Sequence, residues 1–161
     1  MKNKISAALF LFCLFLSLSV AAQKEPDMTQ HATGTFEVKI TPIDPAFKFA
    51  ENPIRRMSLD KHFHGDLEAV SQGEMLSGGN PAKGYGGYVA IERVSGTLHG
   101  LAGTFLLQHN GTMQSGDYKM NVIVVPGSGT GQLTDLSGSL QIIIKDGQHS
   151  YDFAYTLPAS N

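Results

Sequence analysis

The chain has 161 residues, and its 12 Lys and Arg residues stand against 14 Asp and Glu residues, for a formal net charge of −2 at pH 7. There is no large basic excess, so the charge gives no reason to expect binding to nucleic acid or to anionic lipid. A single domain of this size buries roughly two-thirds of the surface of its unfolded chain, which is enough for a hydrophobic core.

The first 22 residues have the pattern of a secretory signal peptide. Lys2 and Lys4 form a basic start, residues 5–20 form an almost uninterrupted apolar run, and Ala21 and Ala22 are small residues suited to signal peptidase. The run is short for a membrane-spanning helix, which needs roughly 20 apolar residues. We therefore expect cleavage after Ala22 and a mature protein in the periplasm or outside the cell, without stable membrane insertion.

A retained anchor is the alternative, but the polar residues 23–26 that follow the apolar run favour cleavage. Cleavage would remove the single cysteine, Cys13, and leave a domain with neither a disulfide nor a thiolate site. The next segment, residues 23–32, is polar, contains Pro26 and shows no periodicity. We predict that it is a disordered lead-in.

From Thr33 onwards, glycines separate short runs rich in Val, Ile, Thr, Tyr and Phe, which is typical of an all-β domain. The runs that are bounded by turn signals predict eight strands, at 33–40, 56–67, 69–77, 85–98, 103–112, 117–125, 138–145 and 149–157. Eight strands are a natural number for a closed barrel. We therefore predict one eight-stranded antiparallel β-barrel over residues 33–161.

The last two predicted strands form the clearest hairpin. They meet across Asp146-Gly147, a pair that favours a two-residue type I′ turn. Such a turn places Ile142 opposite Tyr151 and makes one face of the hairpin apolar.

The central hairpin carries the main candidate site. If Leu98 pairs with Gly103, then Glu92 lies directly opposite His109 on the face that points into the barrel. A carboxylate beside an imidazole among apolar groups could act as a general acid and base, or could anchor the polar end of a ligand. Two alternatives remain open. The pair could simply satisfy each other, or a one-residue change of register could turn both side chains towards solvent.

Glu74 is the other acidic residue in an apolar strand, and we expect that it could join Glu92 inside the barrel. Two carboxylates there would suggest proton chemistry of the kind used in glycoside hydrolysis.

His62 and His64 share a strand face with Asp66 and could in principle gather a metal such as zinc. The opposite face carries Leu59 and Phe63, which are better candidates for the core. We therefore predict that the histidines face solvent, and we expect neither a metal nor a cofactor.

Five segments resemble a known family, and they span almost the whole chain after the leader. They are ATGTFEV at 32–38, FHGDLEA at 63–69, GYVAIERV at 87–94, GTFLLQHNGT at 103–112 and VVPGSGTG at 124–131. In this order they resemble the bacterial proteins grouped as domain of unknown function 3224, whose fold is similar to the allene oxide cyclase barrel. The resemblance implies the same barrel here. Cyclases of this fold enclose a long apolar substrate, but a shared fold does not transfer that chemistry.

Three hypotheses about function follow. The first is a binding barrel that holds a small apolar or aromatic molecule against Tyr88, Phe105 and Leu107, with Glu74 as a further ligand contact. The second is a cofactor-independent isomerase or cyclase that uses Glu92 and His109. The third is a filled barrel without a pocket. Because cyclase-type barrels associate through their outer faces, the resemblance also implies a homo-oligomer.

Overall fold

The computed structural model describes residues 28–158, so the predicted signal peptide and the first half of the predicted lead-in, residues 23–27, lie outside the described residues. Within this range the chain forms one 3₁₀ turn, Pro81–Lys83, and nine β-strands. The strands are β1 (Gln30–Ile43), β2 (Arg55–Gly65), β3 (Leu67–Asn80), β4 (Tyr85–Leu98), β5 (Leu101–Gln114), β6 (Asp117–Val124), β7 (Thr130–Gly131), β8 (Ser137–Lys145) and β9 (Gln148–Thr156). No helix in this range is long and apolar enough to cross a membrane.

Eight of these strands close into an antiparallel barrel. Its order is β1-β2-β3-β4-β5-β6-β8-β9, and β9 pairs again with β1. The short β7 pairs only with the beginning of β5 and lies outside this cycle. The predicted all-β fold and the predicted eight-stranded barrel are confirmed.

The first strand begins earlier than predicted. Gln30, His31 and Ala32 pair with β9, and Ala32 is fully buried. The predicted disordered lead-in is therefore too long by these three residues. Their order depends on pairing with a strand more than a hundred residues away in the chain, which no local pattern can signal.

Three hairpins turn through two residues that both have positive φ, as type I′ turns require. The turn residues are His99 and Gly100, Ser115 and Gly116, and Asp146 and Gly147. The predicted β8–β9 turn is confirmed, and Ile142 opposes Tyr151 as expected.

The β4–β5 hairpin is tighter than predicted. Leu98 pairs with Leu101 across His99 and Gly100, whereas the sequence suggested pairing with Gly103. Gly100 has φ 81°, a conformation that glycine adopts without steric cost. The register therefore differs from the predicted one by two residues, and this leaves every side chain on its predicted face.

The half of the interior nearest the β4–β5 turn is filled by side chains. Phe105 stacks on Phe153 with ring centroids 5.9 Å apart, and Phe63 meets the edge of Tyr151 at 5.8 Å. Burying one such side chain stabilises the fold by roughly 1.5–3 kcal/mol. Other large side chains of this cluster include Leu67, Leu98, Leu107, Leu133, Leu136 and Tyr155.

Candidate functional site

β4 places Glu92 inside the barrel. Successive side chains of a strand point to opposite faces, and the inward set on β4 includes Ala90, Glu92 and Val94. Glu92 has no exposed surface (0 %). A carboxylate in this position needs partners within the protein, because water does not reach it.

His109 on β5 is the first of these partners. Glu92 lies opposite Leu107 and His109 lies opposite Ala90, so the two side chains meet diagonally and not directly across the hairpin as predicted. Nε2 of His109 lies 2.8 Å from Oε1 of Glu92, and His109 is itself buried. The expected contact is therefore present, although the expected register is wrong.

Two further partners were missed by sequence reasoning. Nζ of Lys61 on β2 donates to Oε1 of Glu92 at 2.6 Å, and Oγ of Ser71 on β3 donates to Oε2 at 2.7 Å. Lys61 is only 5 % exposed. A signal was present, since Lys61 stands two residues from both Leu59 and Phe63, the residues already assigned to the core face.

These contacts keep Glu92 ionised. Burial disfavours the charged carboxylate and is the largest single influence on its pKa, but the hydrogen bond with His109 and the charge of Lys61 act in the opposite direction. Together they outweigh burial and lower the pKa of Glu92 to about 2. At neutral pH the barrel therefore holds a carboxylate and an ammonium group side by side in its interior.

The second half of the interior is a cavity of about 410 Å³. Lys61 and His109 line it where it meets the filled half, and we call these two side chains the cavity floor. Glu92 does not line the cavity. The walls are mainly apolar, and they include Val38, Leu59, Met75, Met113, Met120 and Ile142. The cavity thus combines apolar walls with a floor of two nitrogen groups.

Tyr88, one of the predicted ligand contacts, lines the cavity. Its ring stacks on Tyr118 with centroids 6.5 Å apart and planes 6° from parallel. Gly111 lies opposite Tyr88, and a Cβ atom at Gly111 would overlap the tyrosine ring. Burial raises the pKa of the Tyr88 phenol, and Tyr118 and Glu92 raise it further. The hydroxyl is therefore uncharged at neutral pH.

Phe105 and Leu107 do not line the cavity, contrary to the sequence prediction. They are 1 % and 0 % exposed and belong to the filled half of the barrel. They lie on the inner face, as expected, but they belong to the packed core cluster, in which Phe153 of β9 stacks on Phe105. This position is suited to packing beneath the cavity floor and not to contact with a ligand in the cavity.

The expectation that Glu74 joins Glu92 inside the barrel is wrong. Glu74 lies on the outer face of β3 and is 55 % exposed, and both its oxygens accept hydrogen bonds from Arg56, at 2.8 and 2.7 Å. Its neighbour Leu76 is apolar yet 46 % exposed. Because this outer face is partly apolar, alternation in the sequence could not show which face was which.

His62 and His64 face solvent, as predicted. His64 lies 3.1 Å from one oxygen of Glu37 and 3.1 Å from one oxygen of Glu68. Among residues 28–158, no three His, Cys, Asp or Glu side chains are grouped so that they could hold a metal ion.

Comparison with known proteins agrees with the fold and the resemblance. The family described as Protein of unknown function (DUF3224) matches residues 32–155. A DUF3224-family protein of unknown function from Shewanella oneidensis MR-1, known from a crystal structure, is 47 % identical, with a TM-score of 0.77 over 82 % of this chain and 100 % of that chain. No curated protein matches. The chain therefore belongs to the DUF3224 family.

Proposed function

We propose that this protein binds a small, largely apolar molecule inside its barrel. The observation that carries the proposal is the cavity of about 410 Å³ whose apolar walls end on Lys61 and His109. Pockets that hold small molecules have volumes of roughly 300–1,000 Å³, mostly apolar linings and a few convergent polar groups. The cavity weighs against the filled structural barrel, because side chains occupy only half of the interior.

A fluorescent probe tests this proposal. Phenylnaphthylamine is uncharged and apolar, and it becomes fluorescent when it leaves water. We expect saturable binding of one probe molecule per chain to the wild-type protein.

Neighbouring residues on β8 provide a matched pair of variants. Ile142 lines the cavity, whereas Ile143 faces outwards and is 43 % exposed. Ile142→Trp should abolish binding because the indole occupies the cavity, and Ile143→Trp should leave binding unchanged. Binding that is absent from the wild type, or equal in both variants, would contradict the proposal.

A second candidate function is proton transfer on the bound molecule, as in a cofactor-independent isomerase. The observation that favours it is the position of His109, which lines the cavity while its Nε2 is held by Glu92. Nδ1 of His109 makes no hydrogen bond within residues 28–158, so it could exchange a proton with a ligand. Glu92 is fully buried, and its role would be to position and stabilise the imidazole.

Turnover separates the two candidates. Native mass spectrometry of protein purified from its own host would give the mass of a retained ligand. If the compounds released by His109→Gln and by the wild type have the same mass but are distinguished as isomers by chromatography or NMR, proton transfer is supported. If both proteins release the same compound, the barrel is a binding protein.

Export is a further part of the proposal, and it is supported by the basic and apolar pattern of residues 1–22. We expect the full chain, expressed in a bacterium, to appear outside the cytoplasm with Gln23 as its first residue. Intact mass spectrometry of cell fractions measures this. A cytoplasmic protein that retains residues 1–22 would contradict it.

Association of copies through the outer face is also proposed. Leu76 and Val89 pair across β3 and β4, and with Ile91 they leave an apolar outer surface on which these side chains are 46–55 % exposed. Light scattering should give the mass of an oligomer, and Val89→Lys should lower it. Ile143→Lys, on the outer face of β8, is the control. A monomeric wild type would rule the association out.

A further inference from the structure

The cavity lining has a one-sided charge. Its basic side chains are Arg55, Lys61, His109 and His149, and no Asp or Glu is among the described residues that line it. Among residues 28–158, Arg55 has no carboxylate within salt-bridge distance, and its hydrogen bond goes to the carbonyl of Gly79.

The one carboxylate near the floor does not face the cavity. Glu92 is 0 % exposed, and both its oxygens already accept hydrogen bonds, from Lys61 and His109 at Oε1 and from Ser71 at Oε2. A molecule in the cavity therefore meets the side chains of Lys61 and His109 and not the carboxylate. Lys61 and Glu92 compensate each other, so Arg55 leaves the lining with a net positive charge even when both histidines are neutral.

The floor also has unused hydrogen-bonding capacity. The ammonium group of Lys61 has three donors. Within the described chain it donates one hydrogen bond, to Glu92, while its Nζ also lies 5.2 Å from the centre of the Phe36 ring. Nδ1 of His109 has no protein partner in residues 28–158. Because Nε2 of His109 donates to the Glu92 carboxylate, Nδ1 is an acceptor in the neutral ring and a donor only in the imidazolium form, so the two remaining donors of Lys61 are the ones suited to an anionic acceptor.

We propose that the occupant of the cavity is an amphipathic organic anion, such as a carboxylate, whose head group lies against Lys61 and His109 and whose apolar body lies along the walls. This inference rests on the proposed binding function. We place the head group at the floor and not at Arg55, which we call the rim of the cavity. Lys61 is only 5 % exposed, and charges interact strongly in such a shielded position, whereas Arg55 is exposed and its charge is screened by solvent.

Competition between two matched compounds tests the charge of the occupant. Decanoate and decanol share an apolar chain and differ at the polar end, and each is titrated against bound phenylnaphthylamine at neutral pH. Decanol leaves water more readily, so an apolar cavity without a recognising cation prefers decanol. We expect decanoate to displace the probe at a concentration about tenfold lower than decanol.

Paired variants test the position of the head group. Lys61→Met/Glu92→Gln removes the inner ion pair and should reverse the preference for decanoate. Arg56→Met/Glu74→Gln removes the outer ion pair, which joins β2 to β3, and should keep the preference. Arg55→Met tests the rim. If this variant loses the preference while the inner double variant keeps it, the floor assignment is overturned.

Wild-type protein provides a readout if the inner double variant does not fold. Decanoate that is isotope-labelled beside its carboxylate should show nuclear Overhauser contacts to the His109 ring, and decanoate labelled at its methyl end should show contacts to Tyr118 near the mouth. The opposite pattern would overturn the inference. Displacement by decanol at an equal or lower concentration than decanoate also overturns it but leaves the proposed function standing. If the probe itself does not bind, the proposed function fails.

Discussion

Glu92 carries a charge in a place where a charge costs several kcal/mol unless it is paired. We predict that Glu92→Gln destabilises the protein by about 3–5 kcal/mol, because the substitution leaves the ammonium of Lys61 buried without its counter-ion. Urea denaturation followed by circular dichroism measures this change in the free energy of unfolding.

Glu74→Gln is the matched control for this prediction. It removes a carboxylate that accepts two hydrogen bonds from an arginine on the outer surface. A solvent-exposed pair of this kind contributes about 0–1 kcal/mol. Similar losses in the two variants would show that burial does not set the strength of the Glu92 contacts.

The lowered pKa of Glu92 predicts a pH dependence of stability. The pKa in the folded protein, about 2, lies below the ordinary value of 4.5, so the stabilisation is complete above about pH 4.5 and is lost as the pH falls towards about 2. The difference in unfolding free energy between wild type and Glu92→Gln should therefore shrink over this range, by about 3 kcal/mol. Urea titrations at a series of pH values measure it, and a constant difference would contradict the assignment.

At the level of the strand pair, the two-residue turn at His99 and Gly100 sets the register that brings Glu92 within reach of His109. Among residues 28–158, no heavy atom lies within 4 Å of a Cβ atom added at Gly100, so in this part of the chain a side chain there is opposed by the backbone conformation alone. We predict that Gly100→Val costs about 1–3 kcal/mol, because a β-branched residue resists positive φ.

Gly100→Asn is the control for the turn, since asparagine tolerates this conformation better than other side chains. Thermal unfolding of both variants measures the difference. If valine and asparagine have equal effects, the turn does not impose the register through its backbone conformation.

Around the whole barrel, neighbouring strands differ in how many positions they pair. β6 and β8 are joined through a single paired position, Ile123 with Ser139, whereas β4 and β5 pair continuously from Gly86 with Met113 to Leu98 with Leu101. Where two strands share few hydrogen bonds, their backbone amides become exposed to solvent at a low free-energy cost. We predict that amide protons of β6 that point towards β8 exchange much faster than those between β4 and β5. Hydrogen exchange followed by NMR measures this, and uniform protection around the barrel would contradict it.

Much of the fold could be predicted from the sequence because it depends on local signals. Glycine-bounded runs located all eight barrel strands, and the Asp146-Gly147 pair correctly predicted a type I′ turn and its register. The sequence predicted the candidate site only in part. Alternation placed Glu92 and His109 on the inner face, and a register error of two residues did no harm because the faces repeat every two residues.

Lys61 and Glu74 show what a local sequence pattern cannot predict. Lys61 was on the core face by its spacing, but a lysine is almost never buried without a partner, and its partner Glu92 is 31 positions away. Glu74 was placed inside because its strand is apolar, yet Leu76, which shares its face, is exposed on the outer side of the sheet. Which face of β3 is inner depends on how the sheet closes.

The sequence by itself determined the all-β character, the strands and the inward face that carries Glu92 and His109, because turn chemistry and alternation act over a few residues. Only the tertiary structure decided that Lys61 and Ser71 complete the carboxylate site, that Glu74 lies outside, and that half of the interior is open. These features arise where β2, β3, β4 and β5 converge around one volume, and the balance of side-chain sizes and charges within that volume exists only once the barrel is closed.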